Sequence, residues 1–354
     1  MRVVVVGATG NVGTSVLRAL GDDDSVDQIT GVARRLPTIE LPKVAWKAAD
    51  VKIDDLDSIF RGADTVVHLA WAIQPSRDLE ELRSVNVWGS QRVFEAVERT
   101  GVPSLVYASS VGAYSPGPKD RMVTEEWPTK GISTSFYSRH KAEVERLLDK
   151  VESRSPALRV VRMRKAIILK SEAATGIRRL FLGPFVPTTL IKPGRIPAVP
   201  NLKGIRTQFV HSYDVGEAYR LAIHSDLRGP FNIAADPVLD FEAIAHLVDA
   251  PAVRVPRWLA RRAADLSWRL HLQPSPVGWF DLAAQSPLLD STRARTELGW
   301  SPQRSSEETL LDLLYGLYRN DSFPTPPLDR ATSGPLRIRE VLTGIGARSG
   351  EPPS

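Results

Sequence analysis

The sequence contains no cysteine among its 354 residues. Disulfide cross-links, thiolate catalysis and cysteine-ligated zinc are therefore excluded. Histidine is scarce too: six are present, and no two have the spacing of a ligand pair on a helix. The sequence thus gives no support for a metal site.

Long apolar runs and a large excess of one charge are also missing. No stretch approaches the ~20 apolar residues that a membrane span needs, and the strand-like run Arg2–Val6 begins without the features of a secretory signal. The net charge of +5 is small, and no Lys/Arg run with interleaved aromatics indicates nucleic-acid binding. We therefore expect a cytoplasmic protein without integral membrane association or a nucleic-acid partner, whose basic balance suits a small anionic ligand.

What the first half does contain is a regular alternation of strand-like and helix-like segments. Strands are predicted at residues 3–6, 29–33, 44–47, 65–69, 104–109 and 158–163. Helices are predicted at residues 11–20, 53–60, 79–100 and 136–152. Repeated units of this length predict an α/β fold, with a Rossmann-type, doubly wound parallel sheet covered by helices on both faces.

The pattern loosens after residue 169, where Gly and Pro become frequent. We predict a dinucleotide-binding domain over residues 1–169, to which residues 205–235 return. Residues 170–204 and 236–319 should form a smaller, mostly helical substrate lobe. Residues 320–354 are rich in Pro, Ser, Thr and Gly and are predicted to be a flexible tail, in which 336–342 could form one helical turn.

A glycine-rich loop joins the first predicted strand to the first helix, and reads Gly7-Ala8-Thr9-Gly10-Asn11-Val12-Gly13. Glycines at such a turn allow positive φ, close approach to a pyrophosphate and tight packing of the helix on the strand. The helix N-terminus then favours the anion. We therefore expect Gly7, Thr9, Gly10, Asn11, Val12 and Gly13 to bind a dinucleotide.

The end of the second strand indicates which dinucleotide. NAD enzymes usually carry an acid there for the ribose 2′-hydroxyl, but here Arg34 and Arg35 follow Ala33. Because a guanidinium can bind a 2′-phosphate, the pattern favours NADP over NAD, although the pair could also be a solvated loop. Asp50 is expected to accept a hydrogen bond from the adenine, or to serve as a turn residue.

Tyr137 and Lys141 stand four residues apart and so share one helical face. A phenol is a poor base at neutral pH, but a nearby ammonium lowers its pKa. Such a pair can move a proton at a carbinol oxygen while hydride moves at carbon. The preceding strand ends in Ser109 and Ser110, whose hydroxyls should lie at the ligand-binding edge of the sheet.

Taken together, these motifs resemble the extended short-chain dehydrogenases/reductases, often called the NAD-dependent epimerase/dehydratase family. The similarity covers residues 1–318. The segments that carry it are 7–13, 50–51, 68–70, 86–89, 109–114, 137–141, 209–211 with Asp214, and 297–300.

The resemblance implies a role for each matching residue. Tyr137 would be the general acid/base, Lys141 would tune it and hold the nicotinamide ribose, and Ser110 would bind the substrate oxygen, with Ser109 the weaker candidate. The cofactor would also contact Val51, Leu69, Ala70, Trp71, Asn86 and Arg164. Helices at residues 79–100 and 136–152 resemble those that pair in dimeric relatives, so a homodimer is a hypothesis.

Departures from the family pattern weigh against some of the reactions that the family catalyses. Val111 and Gly112 stand where sugar dehydratases carry an acidic pair, and residues 166–169 lack the asparagine typical of nucleotide-sugar epimerases. Lys165 and Lys170 replace a usual proline and glycine, which could alter the wall around the nicotinamide.

Three functions remain open. The first is an NAD(P)-dependent oxidoreductase acting on a ketone or secondary alcohol, for which the tryptophan content favours an apolar substrate. The second is an epimerase of a sugar-type substrate, and the third is a non-catalytic NADP-binding redox sensor. A basic amphipathic stretch at residues 255–270 could contact a membrane or cover a lipophilic substrate, or could simply pack on the substrate lobe.

Overall fold

The computed structural model describes residues 1–74 and 76–333. The strands are β1 (Arg2–Val6), β2 (Gln28–Ala33), β3 (Val44–Ala48), β4 (Thr65–His68), β5 (Ser104–Tyr107), β6 (Met122–Val123), β7 (Arg159–Lys165), β8 (Ile167–Leu169), β9 (Val199–Asn201), β10 (Arg206–Thr207), β11 (Phe209–His211), β12 (Gly229–Ile233), β13 (Leu239–Asp240), β14 (Ala252–Arg254) and β15 (Leu288–Leu289). The helices are α1 (Asn11–Gly21), α2 (Asp57–Phe60), α3 (Leu79–Arg83), α4 (Gly89–Thr100), α5 (Phe136–Arg154), α6 (Ala174–Ile177), α7 (Ser212–His224), α8 (Phe241–Leu247), α9 (Arg257–Arg269), α10 (Gly278–Gln285), α11 (Thr292–Thr296) and α12 (Ser306–Arg319).

Seven strands form one parallel sheet in the order β12-β7-β5-β4-β1-β2-β3. The chain runs from β1 to β2 and β3 on one side, then crosses to β4 and β5 on the other. The strand order therefore reverses beside β1, and the crevice outside the carboxyl ends of β1 and β4 is where open α/β sheets bind ligands. The predicted Rossmann-type fold is confirmed.

The sheet is buried on both faces, as the β-branched sequence of β1 requires. Val3 and Val5 pack under α1 and α7, whereas Val4 and Val6 face the opposite layer, which includes α4 and α5. Helices α1 and α7 cross closely, because a Cβ on Gly216 would lie only 2.5 Å from the Ser15 carbonyl oxygen. Residues 206–233 add β12 to the sheet edge and pair β11 with β8.

Two predicted helices differ from those observed. Only Asp57–Phe60 is helical within residues 53–60, because Asp50 and Asp55 accept hydrogen bonds from nearby backbone N–H groups and favour turns. The segment 79–100 is divided into α3, a π-helical turn at Ser84–Trp88 and α4. Such π-turns are frequent at functional sites, and this one contains Asn86.

No helix in the described residues is long and apolar enough to cross a bilayer.

Candidate active site

The glycine loop forms a backbone cradle at the crevice. Gly7 has a φ of +88° and packs so closely that a Cβ would lie 2.6 Å from the Ala70 nitrogen. A Cβ on Gly13 would lie 2.5 Å from the Gly7 carbonyl oxygen. Gly10 precedes α1 without a side-chain cap, so the first N–H groups of the helix remain available to an anion. The cradle therefore fits the pyrophosphate of a dinucleotide.

A cleft of about 340 Å³ extends from this loop. Thirteen of the predicted cofactor residues line it: Gly7, Thr9, Gly10, Asn11, Val12, Gly13, Arg34, Arg35, Asp50, Val51, Leu69, Ala70 and Trp71. A second wall of the cleft carries no sequence motif and was not predicted; it is formed by Ala173, Gly176, Ile177, Leu180, Pro326, Pro327 and Leu328.

Directly after the last residue of β2, Arg34 and Arg35 are exposed and line the cleft. In the described part of the chain neither makes an ion pair with an acid, so both guanidinium groups are available to a ligand. Asp50 also lines the cleft, but its Oδ1 accepts a hydrogen bond from the Lys52 backbone N–H at 2.9 Å. Its carboxylate therefore has at least a turn-forming role.

Ser110, Tyr137 and Lys141 lie together at the carboxyl edge of the sheet, although none of them lines the cleft itself. Helix α5 carries the last two residues and is capped by Ser135, whose hydroxyl accepts from the Ser138 N–H. Ser110 caps the short turn Val111–Ala113 through a 3.0 Å bond from the Gly112 N–H. The predicted trio is thus assembled beside the cleft that the glycine loop lines.

The phenol of Tyr137 lies in an aromatic enclosure. The ring centroids of Trp279 and Trp71 lie 4.8 Å and 5.8 Å from its own. Burial raises the pKa of Tyr137 to about 12, and a hydrogen bond with Ser110 opposes the rise. The indole N–H groups of Trp71 and Trp279 are buried without a hydrogen-bond partner in the described residues, which leaves two donors near the phenol.

The ammonium of Lys141 is held by three groups. It donates to the Ala108 carbonyl oxygen at 2.6 Å and to the Tyr107 hydroxyl at 3.3 Å. It also lies 3.4 Å from the centroid of a Trp71 ring, a cation–π contact. Burial, with a contribution from Lys165, lowers the pKa of Lys141 well below its usual value. Because Trp71 also lines the cleft, it forms the partition between the cleft and the Tyr137–Lys141 pair.

Gly112 leaves the space that Tyr137 occupies. A Cβ at this position would lie 2.8 Å from Cε1 of Tyr137 and 3.4 Å from Oγ of Ser110. A larger residue, such as one of a dehydratase-type acidic pair, would therefore displace the phenol.

Replacing Gly112 with alanine should lower turnover by about 10–100-fold, because small misplacements of a catalytic group carry costs of this size. Gly21→Ala is a matched control, since a Cβ there meets Pro42 only at 3.5 Å. Steady-state kinetics would test this, alongside the melting temperature. Unchanged turnover by Gly112→Ala would contradict the placement of Tyr137.

Arg164, predicted to contact the cofactor, is instead part of a buried ion network. Its Nη2 lies 2.9 Å from Oε2 of Glu145, and Arg162 contacts the same oxygen at 2.8 Å. Despite its burial, Glu145 has its pKa lowered to about 2, chiefly by Arg164. Ser109 donates to Glu145 at 2.5 Å and is likewise directed away from the cleft. Arg164 and Ser109 therefore stabilise the sheet edge behind the site.

Three further residues that the sequence singles out make hydrogen bonds within the protein. The amide of Asn86 donates to the Ala72 carbonyl oxygen at 2.8 Å and accepts from the Ala72 N–H at 2.7 Å, so it positions the loop that carries Trp71. Lys165 donates to the Tyr219 hydroxyl at 2.9 Å. Lys170 donates to the Thr14 hydroxyl at 2.8 Å. None of the three lines the cleft.

Comparison with known proteins identifies the family. The model of the NAD dependent epimerase/dehydratase family matches residues 3–234. The chain belongs to this family. It is therefore an NAD-dependent epimerase/dehydratase-type enzyme with the extended short-chain dehydrogenase/reductase fold.

Three relatives of this epimerase/dehydratase family member show how similar its sequence and fold are to those of known proteins. An uncharacterized protein of Mycobacterium bovis is 24% identical over 324 residues, which cover 89% of this chain and 83% of the relative. An L-arabinose 1-dehydrogenase (NAD(P)+) of Haloferax volcanii is 36% identical over 111 residues, or 31% of this chain and 41% of its own. The structure of a Thermus thermophilus UDP-glucose 4-epimerase with NAD has a TM-score of 0.65 at 21% identity, covering 90% of this chain and 99% of its own.

Beyond the matched family region, residues 321–328 cross the cleft and are called the C-terminal strap. The Thr325 hydroxyl donates to the Thr9 carbonyl oxygen at 2.8 Å, and Thr325 and Leu328 are buried. The Asp321 carbonyl oxygen accepts from the Thr175 N–H at 3.2 Å. The flexible tail predicted from residue 320 is thus corrected for residues 320–333, because apolar contacts and hydrogen bonds fix the strap. The helical turn predicted at 336–342 lies outside the described residues.

A chain ending at Asn320 should release a bound dinucleotide on the order of tenfold faster, because it loses the hydrogen bond to Thr9 and the part of the second wall that the strap provides. A chain ending at Ser333 retains the strap and is the matched control. Stopped-flow displacement of NADPH would measure both rates. Equal release rates would show that the strap does not retain the cofactor.

Proposed function

We propose that this enzyme is an NADP-dependent oxidoreductase that transfers hydride between the cofactor and a ketone or secondary alcohol. The observation that carries the proposal is the convergence of Ser110, Tyr137 and Lys141 beside a cleft lined by the glycine loop. The bound cofactor would supply or accept the hydride. The side chains of the trio would handle the proton and orient the substrate oxygen.

In this proposal, Tyr137 is the proton donor for ketone reduction. With its pKa raised to about 12, the phenol is protonated at neutral pH. Ser110 hydrogen-bonds the substrate oxygen, and the Nζ of Lys141 lies 6.0 Å from the centroid of the Tyr137 ring. In the opposite direction, Tyr137 must first lose its proton and then accept one from the alcohol.

The proposal predicts opposite pH profiles for the two directions. Reduction needs the protonated phenol, so its rate should be flat across neutral pH and fall only as the pH approaches 12. Oxidation needs the phenolate, whose fraction rises about tenfold per pH unit below the pKa. Rate profiles with one alcohol–ketone pair test this. A reduction rate that falls above neutral pH would point to a different acid.

The apolar side chains around Tyr137 support an apolar substrate. Trp279 contacts Tyr137 and also Phe181, whose ring centroid is 4.9 Å away. The indole N–H groups of Trp71 and Trp279, which have no hydrogen-bond partner in the part of the chain that the structure describes, could still bind one or two substrate oxygens. This favours a largely apolar ketone with few polar groups over a nucleotide sugar.

A second candidate function is the epimerisation of a sugar-type substrate. The C-terminal strap favours it, because an epimerase must retain its dinucleotide while hydride leaves and returns. The structural relative from Thermus thermophilus is a UDP-glucose 4-epimerase. The absence of an asparagine after β7 weighs against a nucleotide sugar.

Purified protein distinguishes the two functions. An oxidoreductase should oxidise NADPH in proportion to added ketone, across a panel running from small sugars to bulky apolar ketones. An epimerase would carry tightly bound dinucleotide and convert UDP-sugars without net NADPH turnover. Absence of both activities would favour the sensor hypothesis. A homodimer and a cytoplasmic location remain predictions.

A further inference from the structure

Helix α9 presents an unusual surface, since none of its thirteen residues is buried. Trp258 and Leu266 are 61% and 58% exposed, and the neighbouring Leu270 is 59% exposed. At 100° per residue these side chains fall on one arc of the helix. We call this arc the α9 face: Trp258, Leu259, Arg262, Leu266, Arg269 and Leu270.

The opposite side of α9 is fixed to the protein. The indole Nε1 of Trp268 donates to the Ser76 hydroxyl at 3.3 Å. The Arg77 guanidinium stacks on the Trp268 ring, 4.2 Å from its centroid. Arg261 pairs with Asp281 of α10 at 2.8 Å. The helix therefore has a fixed orientation, and its apolar arc faces outward.

Cationic groups accompany the apolar arc. The Arg262 guanidinium stacks 5.5 Å from the centroid of the Trp258 ring and has no acidic partner in the described residues. Arg257 and Arg254 are exposed at the helix start. Asp265 is the one acid within α9 and pairs with Arg269 at 2.9 Å. Exposed tryptophan, leucines and surplus arginines are the composition of a helix that lies in a lipid interface.

Three occupants could cover the α9 face: residues 334–354 of this chain, a second copy of the chain, or a lipid surface. The charge of the face decides between them. Residues 334–354 contain three arginines and two glutamates, so this segment has no excess of negative charge to match the face. A second copy would bring like charges together. An anionic phospholipid surface complements both the arginines and the apolar side chains.

We propose that the α9 face docks this protein peripherally on anionic phospholipid membranes. Helix α10, which α9 contacts through the Arg261–Asp281 pair, carries the Trp279 that packs on Tyr137. Docking would therefore place the lipid surface one helix away from the candidate active site. The inference does not rest on the proposed function, because lipid binding needs neither cofactor nor substrate.

Vesicle co-sedimentation of the full chain tests the proposal. The probes are phosphatidylcholine vesicles, with or without about 30% phosphatidylglycerol, at low and high salt. We expect binding to the anionic vesicles that weakens with salt. The double variant Leu266→Glu/Leu270→Glu should lower the partition coefficient at least about 50-fold, since apolar insertion is replaced by repulsion. Arg262→Gln should lower it about fivefold, the loss of one basic residue near the surface.

The matched control is Ile53→Glu, which changes an exposed apolar residue in the dinucleotide-binding half and should leave vesicle binding unchanged. The melting temperature of each variant verifies folding. No binding by the wild type, or equal binding by the double variant, would overturn the proposal. Vesicle binding that appears only after deletion of residues 334–354 would also overturn it. The same holds for concentration-dependent dimers that form in lipid-free solution and that the Leu266/Leu270 variant abolishes.

Discussion

Replacing Tyr137 with phenylalanine should lower kcat for ketone reduction by about 10²–10⁴-fold, the usual contribution of a positioned proton donor. The phenyl ring can keep its contacts with Trp71 and Trp279, so the enclosure should remain intact. Dinucleotide affinity should therefore change little. Steady-state kinetics together with an NADPH titration would separate the two effects.

The matched control is Tyr315→Phe, which removes the phenol hydroxyl of an exposed residue on α12. It should leave kcat unchanged. If Tyr137→Phe retained wild-type turnover, the proton would come from another group, and the role proposed for the trio would be wrong. If both variants lost activity in parallel with their melting temperatures, the loss would reflect stability and not proton transfer.

Replacing Arg34 with glutamate should raise KM for NADPH by about 10–100-fold, because a hydrogen bond to a charged group contributes about 1.5–3 kcal/mol. KM for NADH should change far less, since that cofactor has no 2′-phosphate. The glutamate could instead accept a hydrogen bond from the ribose hydroxyls. Kinetics with both cofactors would give the change in preference.

Lys47→Glu is the control for charge alone, because Lys47 is exposed on β3 and does not line the cleft. It should leave the preference unchanged. Arg35→Glu would show whether the second arginine contributes. A wild-type enzyme that strongly prefers NADH, or an Arg34 variant with unaltered preference, would remove the argument for NADP.

The sequence predicts the glycine loop well because its geometry is local. Gly7 and Gly13 are required by contacts within a few residues or with the neighbouring strand end at Ala70. Tyr137 and Lys141 were likewise predictable, since one helical turn places them on the same face. Arg34 and Arg35 follow a strand whose position in the sheet is set by the βαβ repeat.

Residues with distant partners were not predictable from the sequence. Arg164 has the family's motif position, but Glu145 pairs with its guanidinium and holds it behind the site. The aromatic enclosure depends on Trp279, which lies 142 positions after Tyr137 and carries no motif. One contact of the strap is a hydrogen bond from the Thr325 hydroxyl to Thr9, 316 residues away in the sequence. A Pro-rich composition alone gives no sign of such contacts.

The most direct measurement is a crystal structure of the protein with NADP⁺ bound. We expect a dinucleotide that passes residues 7–13, with its 2′-phosphate beside Arg34 and its nicotinamide within reach of the Tyr137 hydroxyl. A nicotinamide that stops on the cleft side of Trp71, with Trp71 still stacked on Lys141, would rule out hydride transfer beside Tyr137. So would a dinucleotide bound outside the glycine loop.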